Sequence, residues 1–236
     1  MPAEVATAFE LDQLIAQEVR QSIKRSEFPL VLSGNCNSAI GTISGAGADG
    51  LGIIWFDGHA DFNTPKTTTT GFTDGMGLAI AVGHCWNTLA KSVPGFVPVP
   101  EVNVVLVGAR DIEPAEQERL DSSYVTLLSA STIRESGLSE ALEATLKDLR
   151  TRVDRVYVHL DLDVLDPEKL APANEFAPSD GLFQAEVEAA LRLVRQRFTM
   201  AAAGIASYDP AFDAQGEILR AVSVLTRALV APHTTA

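Results

Sequence analysis

The sequence predicts an α/β fold, a doubly wound and mostly parallel sheet flanked by helices, and three observations lead there. Six short apolar runs, several rich in Val and Ile, recur along the chain; stripes at helical spacing lie between them; and no internal repeat, low-complexity tract or linker interrupts the alternation. The runs cover 29–33, 51–56, 102–108, 124–128, 153–160 and 200–207. Continuous apolar runs of that length suit strands buried on both faces. Leu138, Leu142, Thr145, Leu146 and Leu149 recur at helical spacing, as do Ile218, Val222, Leu225 and Leu229. Thr132 with Glu135 reads as a capping box ahead of the first stripe. An amphipathic stretch over 5–24 leads into the first strand, 41–52 reads as a Gly-rich connection, and 93–100 as a Pro-rich loop. Strands separated by helices imply parallel crossovers, and ligands in such sheets gather at the carboxyl ends of strands.

Composition narrows the function classes. With 236 residues and 46% hydrophobic content, residues 1–236 are expected to form one domain with a substantial core. A net charge of −13 leaves no Lys/Arg cluster to neutralise phosphates, so no nucleic-acid partner is expected. No apolar run reaches the ~18 residues that crossing a bilayer requires, so no membrane association is expected. Cys36 and Cys85 are the only cysteines and no basic-then-apolar leader opens the chain, which fits a reducing cytoplasm.

The chemistry-bearing residues cluster after two of the runs. Asp57, His59 and Asp61 follow the second, and Asp161 and Asp163 close the fifth. In extended chain, residues two apart share a side, so each set is expected to converge. Four carboxylates and an imidazole in one crevice cannot all stay ionised unaided, because like charges drive protons back on. Divalent cations resolve the repulsion; such donors suit manganese, and a two-ion site can activate water toward a trigonal carbon. A single Asp at a strand end is usually a cap or turn residue, as Asp166 before Pro167 is expected to be, but two such patterns rarely coincide. His84, Cys85 and His233 have no supporting pattern and read as structural or surface residues, and Glu116 reads as a surface residue.

The strings Asp57-Gly58-His59-Ala60-Asp61-Phe62-Asn63-Thr64-Pro65 and Asp161-Leu162-Asp163-Val164-Leu165-Asp166-Pro167 resemble the two signature motifs of the ureohydrolase (arginase and agmatinase) family. The segment Gly108-Ala109-Arg110-Asp111-Ile112-Glu113-Pro114 is similar to a further one, and the likeness runs from about residue 29 to residue 230. The resemblance implies an arginase-like fold, shortened at its N-terminus, around two manganese ions. Asp57 and Asp161 would bridge them, Asp61 would complete one, and His59 and Asp163 the other. A small guanidino amino acid is the implied partner, with a homo-oligomer as a further expectation. Asn63, Thr68 and Thr70 match family positions that hold the α-carboxylate, and Glu113 the one near the α-amino group.

Three departures matter. Where the family has Gly-Gly-Asp-His-Ser, this chain reads Ser33-Gly34-Asn35-Cys36-Asn37, putting Cys36 at the first-ion ligand position. A thiolate there is softer than imidazole and leaves one net negative charge where histidine would leave none. Asp74 stands where the proton-transferring histidine is expected, and becomes the candidate general acid. Ser207 stands where a glutamate would pair the guanidinium, with Asp209 a possible replacement two residues on. Both losses disfavour a strongly basic substrate. The leading expectation is therefore hydrolysis of N-hydroxyarginine to ornithine and hydroxyurea, in the manner of the branch with cysteine for the first histidine. An ordinary arginase or other guanidino-acid hydrolase, and a degenerate member that binds without turnover, are the alternatives.

Overall fold

The computed structural model describes residues 2–230, including their side chains apart from those of residues 2–4 and 139. In chain order the first half comprises α1 (Pro2–Lys24), β1 (Leu30–Leu32), α2 (Ser38–Ala46), β2 (Leu51–Phe56), α3 (Gly77–Ala81), α4 (Asn87–Ala90) and β3 (Val104–Val107). The second half comprises α5 (Pro114–Asp121), β4 (Thr126–Leu128), α6 (Ala130–Ser136), α7 (Leu138–Leu149), β5 (Arg155–Asp161), α8 (Gln184–Arg197), β6 (Thr199–Ala206) and α9 (Glu217–Val230). Each of the six apolar runs contains a strand or overlaps one. The strands form one sheet in the order β1-β6-β5-β2-β3-β4, with every pairing parallel.

Strand alternation makes this sheet double-sided. All six residues of β2 are buried, with Ile53 and Trp55 packed into one core and Ile54 and Phe56 into the other. The first core lies under α1 and α2, through Val5, Phe9, Val19, Ile40 and Ile43. The second lies under α7, α8 and α9, where Leu142, Leu146, Leu149, Val187, Leu191 and Leu225 repeat at helical spacing. After β2 the chain builds outward through β3 and β4, then returns to place β5 on the other side of β2. That reversal is the switch point at which open α/β sheets bind ligands, and it puts the ends of β2 and β5 side by side.

Three local expectations change. The stretch 41–52 is a connection only in its second half, because Ser38–Ala46 is helical. Its glycines serve packing: a Cβ on Gly41 would sit 2.6 Å from the Asp12 carbonyl oxygen and one on Gly45 2.7 Å from that of Ala16, so small residues let α1 lie directly on α2. The Thr132–Glu135 capping box does not form. Ser129 caps α6 by accepting from the Thr132 backbone N–H at 3.2 Å, and α7 starts after Gly137, whose φ of 79° breaks the helix. Glu116 is 3% exposed rather than on the surface, accepting from the Phe62 N–H at 2.7 Å and the Glu113 N–H at 3.3 Å. Burial raises its carboxyl to about 7.

Candidate metal centre and substrate cleft

Asp57 follows β2 and Asp161 ends β5, where the register pairs Trp55 with His159 and Phe56 with Leu160. Around them two groups of donors form. Cys36, Asp57, His159 and Asp161 present one donor atom each within 4.8 Å of one another, and Asp57, His59 and Asp163 do the same. Asp57 belongs to both groups; Asp61 belongs to neither, although it lines the same cleft. Extended-chain arithmetic is not what assembles them. Beyond Phe56 the chain leaves the strand, with Asp61 at a φ of 50°, and Asp163 lies in a 3-10 turn over Leu162–Val164 whose N–H donates to Asp161 Oδ1 at 2.8 Å.

Each carboxylate has a fixed bearing. Asp57 accepts from Trp55 Nε1 at 2.9 Å and from the His59 N–H at 2.7 Å. Asp163 accepts from the Gly58 N–H at 3.0 Å, and its loop is clamped by Arg110, which donates to the carbonyls of Asp163 at 2.8 Å, Pro178 at 2.6 Å and Ser179 at 2.8 Å. Asp161 Oδ2 receives the Cys36 thiol at 2.8 Å and the Ser207 hydroxyl. Ser207 adopts a φ of 69°, a strained backbone for a residue with a Cβ, and aims its side chain at Asp161.

Burial and like charge dominate the electrostatics. Burial, then Asp163, raises Asp57 to about 6. Burial, reinforced by neighbouring carboxylates, lifts Asp61 and Asp161 well above the usual range and does the same to the Cys36 thiol. His59 behaves oppositely: burial works against its charge, but hydrogen bonds to Asp163 and Asp57 carry it up to about 12. Burial acts to raise Asp163 as well, and the hydrogen bond from His59 outweighs it, leaving Asp163 below its ordinary value. His159, fully buried, is pushed down to about 3.

The donors fit divalent cations. Asp61 Oδ2 and His159 Nε2 are buried without a hydrogen-bond partner, in a place where an unpaired polar atom is costly. Carboxylates, imidazoles and a thiol around them are the ligand chemistry that such an ion requires.

A cleft of about 530 Å³ opens over both groups. One wall carries Asn63, Thr68, Thr70 and Glu113, all four expected substrate contacts. Asn63 Nδ2 donates to Glu113 Oε2 at 3.1 Å, and Thr69, to which no role was assigned, donates its hydroxyl to Glu113. Thr68 and Thr70 receive the N–H groups of Gly71 and Phe72 at 3.0 and 3.1 Å. Asp74 also lines the cleft; it accepts from Asn35 Nδ2 at 3.1 Å and the Asn37 N–H at 3.0 Å, and burial raises its carboxyl. Sequence reasoning missed the wall formed by Asn174, Glu175 and Phe176, since that loop carries no periodic or motif signal. It also passed over His159, although the strand period of two places it on the side of Asp161. Asp166 is the expected turn residue, accepting from the Glu168 N–H at 2.9 Å. His84 lies between Glu101 and Arg119, and Cys85 is a buried free thiol; His233 is outside the described residues.

Sheet order, switch-point placement and donor chemistry define a doubly wound α/β protein with a candidate metal centre at its strand ends. The arginase family profile matches residues 2–231, and the chain belongs to the arginase family. Its members are metal-dependent hydrolases of guanidino C–N bonds, generally with two metal ions. The chain is 32% identical over 205 residues to arginase of Bacillus subtilis (strain 168), covering 86% of this chain and 68% of that one. Among solved structures it is similar to arginase from Bacillus cereus, with a TM-score of 0.89 and 28% identity over 96% of this chain and 79% of that one. Formimidoylglutamase from Bacillus subtilis shares the fold, with a TM-score of 0.76 and 22% identity over 91% of this chain and 64% of that one. No described helix is long and apolar enough to cross a membrane.

Proposed function

We propose that the protein is a binuclear manganese amidinohydrolase acting on an arginine-like amino acid with a less basic headgroup, N-hydroxyarginine being the best concrete substrate. Water adds across the guanidine-type C–N bond, giving ornithine and hydroxyurea. The observation that carries this reading is Ser207. At the position the resemblance assigns to a guanidinium-pairing glutamate, it turns a neutral hydroxyl onto Asp161 and offers the cleft no charge. Bound cations supply Lewis acidity and an acidified water. The chain does the rest: Asn63, Thr68, Thr70 and Glu113 hold the amino-acid end, and Asp74, whose carboxyl burial raises above its ordinary value, faces the cleft as the group to pass a proton to the leaving amine. The N-hydroxyl withdraws electrons, so the carbon is more easily attacked and less cationic pairing is needed.

An ordinary arginase is the second reading. The relatives carry that name, and Glu175 and Asp209 line the cleft as carboxylates able to pair a full guanidinium. Asp209 is partly engaged in its own turn, accepting from the Ala211 N–H at 2.8 Å. Steady-state kinetics of the manganese-loaded protein on both substrates, scored for urea and hydroxyurea, decide between them. We expect at least a roughly tenfold preference in kcat/KM for N-hydroxyarginine, about 1.4 kcal/mol of transition-state stabilisation. Equal or greater efficiency on arginine establishes the second reading, and full metal content without turnover of either substrate makes the chain a binding protein.

A further inference from the structure

Resting on the two-ion reading above, we propose that His159 is a ligand of the first ion, an imidazole supplied from within β5 to the group of Cys36, Asp57 and Asp161. One nitrogen of its ring lies within 4.8 Å of a donor atom on each of those three residues. The residue is 0% exposed, and Nε2 has no hydrogen-bond partner. A buried histidine that served packing alone would be expected to satisfy both nitrogens, whereas this ring satisfies one.

The surroundings select the atom and the tautomer. Nδ1 lies 3.0 Å from the Tyr157 hydroxyl, which can accept the Nδ1 proton and leave the lone pair on Nε2. A histidine that ligates a metal is held in this way through its other nitrogen. The ring also stacks on Trp55, with centroids 3.8 Å apart and planes 23° from parallel, while Trp55 Nε1 donates to Asp57. One indole therefore orients two members of the group. Gly204 leaves room for the assembly, since a Cβ there would sit 2.5 Å from the Tyr157 hydroxyl oxygen.

This placement answers a problem raised by Cys36. A thiolate beside carboxylates overloads the ion with negative charge, and a neutral imidazole adds a donor without adding charge. The chain has a thiol where the resemblance expects histidine, and it offers an imidazole to the same group from β5, two strands away from β1. His59 serves the other ion from its own loop, so the two ions would each have one nitrogen ligand.

The test counts Mn²⁺ bound by chelator-stripped full-length protein after desalting, with and without His159→Phe. Phenylalanine keeps the stack on Trp55. We expect about two ions per chain in the unmodified protein and about one in the variant, with an unchanged circular dichroism spectrum before loading. A folded variant that still retains two ions overturns the assignment. Should the variant not fold, pulsed EPR of the unmodified protein labelled with [¹⁵N]histidine decides: two coupled imidazole nitrogens support the proposal, and one overturns it. Loss of one ion in His159→Phe without turnover of any guanidino substrate upholds the ligand and defeats only the proposed reaction. An unmodified protein that binds no Mn²⁺ overturns both.

Discussion

The two donor groups share Asp57 yet solve the burial of charge in opposite ways. The group of Asp57, His59 and Asp163 is largely an ion pair already: His59 Nδ1 stands 3.2 Å from Asp163 and 3.5 Å from Asp57, and the side chain is 28% exposed. The group of Cys36, Asp57, His159 and Asp161 is buried throughout and has no cation of its own. Burial, reinforced by neighbouring carboxylates, pushes its Asp161 carboxyl and Cys36 thiol well above their ordinary values. The lesson is that one group carries a counter-charge of its own in His59, whereas the other combines acids and a thiol with an uncharged His159, so a cation binding there would displace whatever protons they hold.

The largest expected effect breaks the comparison by removing the acid at the heart of the buried group. Asp161→Ala should eliminate the first ion, weaken the second and lower kcat/KM by at least ~10³-fold, on the scale of losing a group that organises the whole site. Elemental analysis showing full occupancy in that variant would refute the assignment.

His59→Gln acts on the other side. The second ion should bind about 10–100-fold more weakly while the first is retained, as measured by titration calorimetry. Because hydrogen bonding raises His59 to about 12, its ion pair stabilises the metal-free fold below the unfolded value of 6.5 and loses that contribution only as pH climbs through about 12. The metal-free variant should therefore melt lower than the parent at pH 7. Equal melting points would show the pair to be without consequence.

Cys36→His sharpens the contrast in protons. A ligating thiol whose proton is held well above its ordinary value must give that proton up, so first-ion affinity should rise with pH about tenfold more per unit in the parent than in the variant. The activity profile of the variant should move to lower pH. Parallel affinity curves, or wild-type metal content and rate in Cys36→Ala, would make the thiol merely structural.

The smallest effect uses a buried acid that meets the chain and no cation. Asp12 is 2% exposed, accepts from the Gly41 N–H at 3.0 Å, and is raised by burial to about 8. The folded chain thus keeps a proton that the unfolded chain has shed; stability is intact below about 3.8, declines as pH rises, and the loss is complete above about 8. Asp12→Asn should raise the melting temperature clearly at pH 8 and little at pH 4. Thermal melts across that range measure it, and a pH-independent difference would contradict it.

How far these groups could be read beforehand differs between them. Asp57, His59 and Asp61 lie in one short string and Asp161 and Asp163 in another, so their association was legible as pattern. The reason offered, an extended chain with residues alternating across it, holds only up to Phe56 and Asp161; beyond them Asp61 turns left-handed and Asp163 enters a 3-10 turn. Glu116 reads as an exposed helical acid because its partners, the Phe62 and Glu113 N–H groups, are loop and cap atoms that no side-chain pattern reveals. Gly41 and Gly45 read as loop residues for a similar cause, since their use depends on how closely α1 crosses.

The sequence by itself determined the strands, the sheet class and the two short strings that carry the candidate donors, because strand periodicity, apolar runs and paired carboxylates are properties of nearby residues. Only the tertiary structure decided that Cys36 meets Asp161 across 125 positions, that Ser207 spends its hydroxyl on the same carboxylate, and that His159 is left with a free nitrogen beside them. Those outcomes follow from strand order. Placing β5 between β2 and β6 brings the loop after β1 and the end of β6 over the same strand ends, a contact that no local spacing encodes.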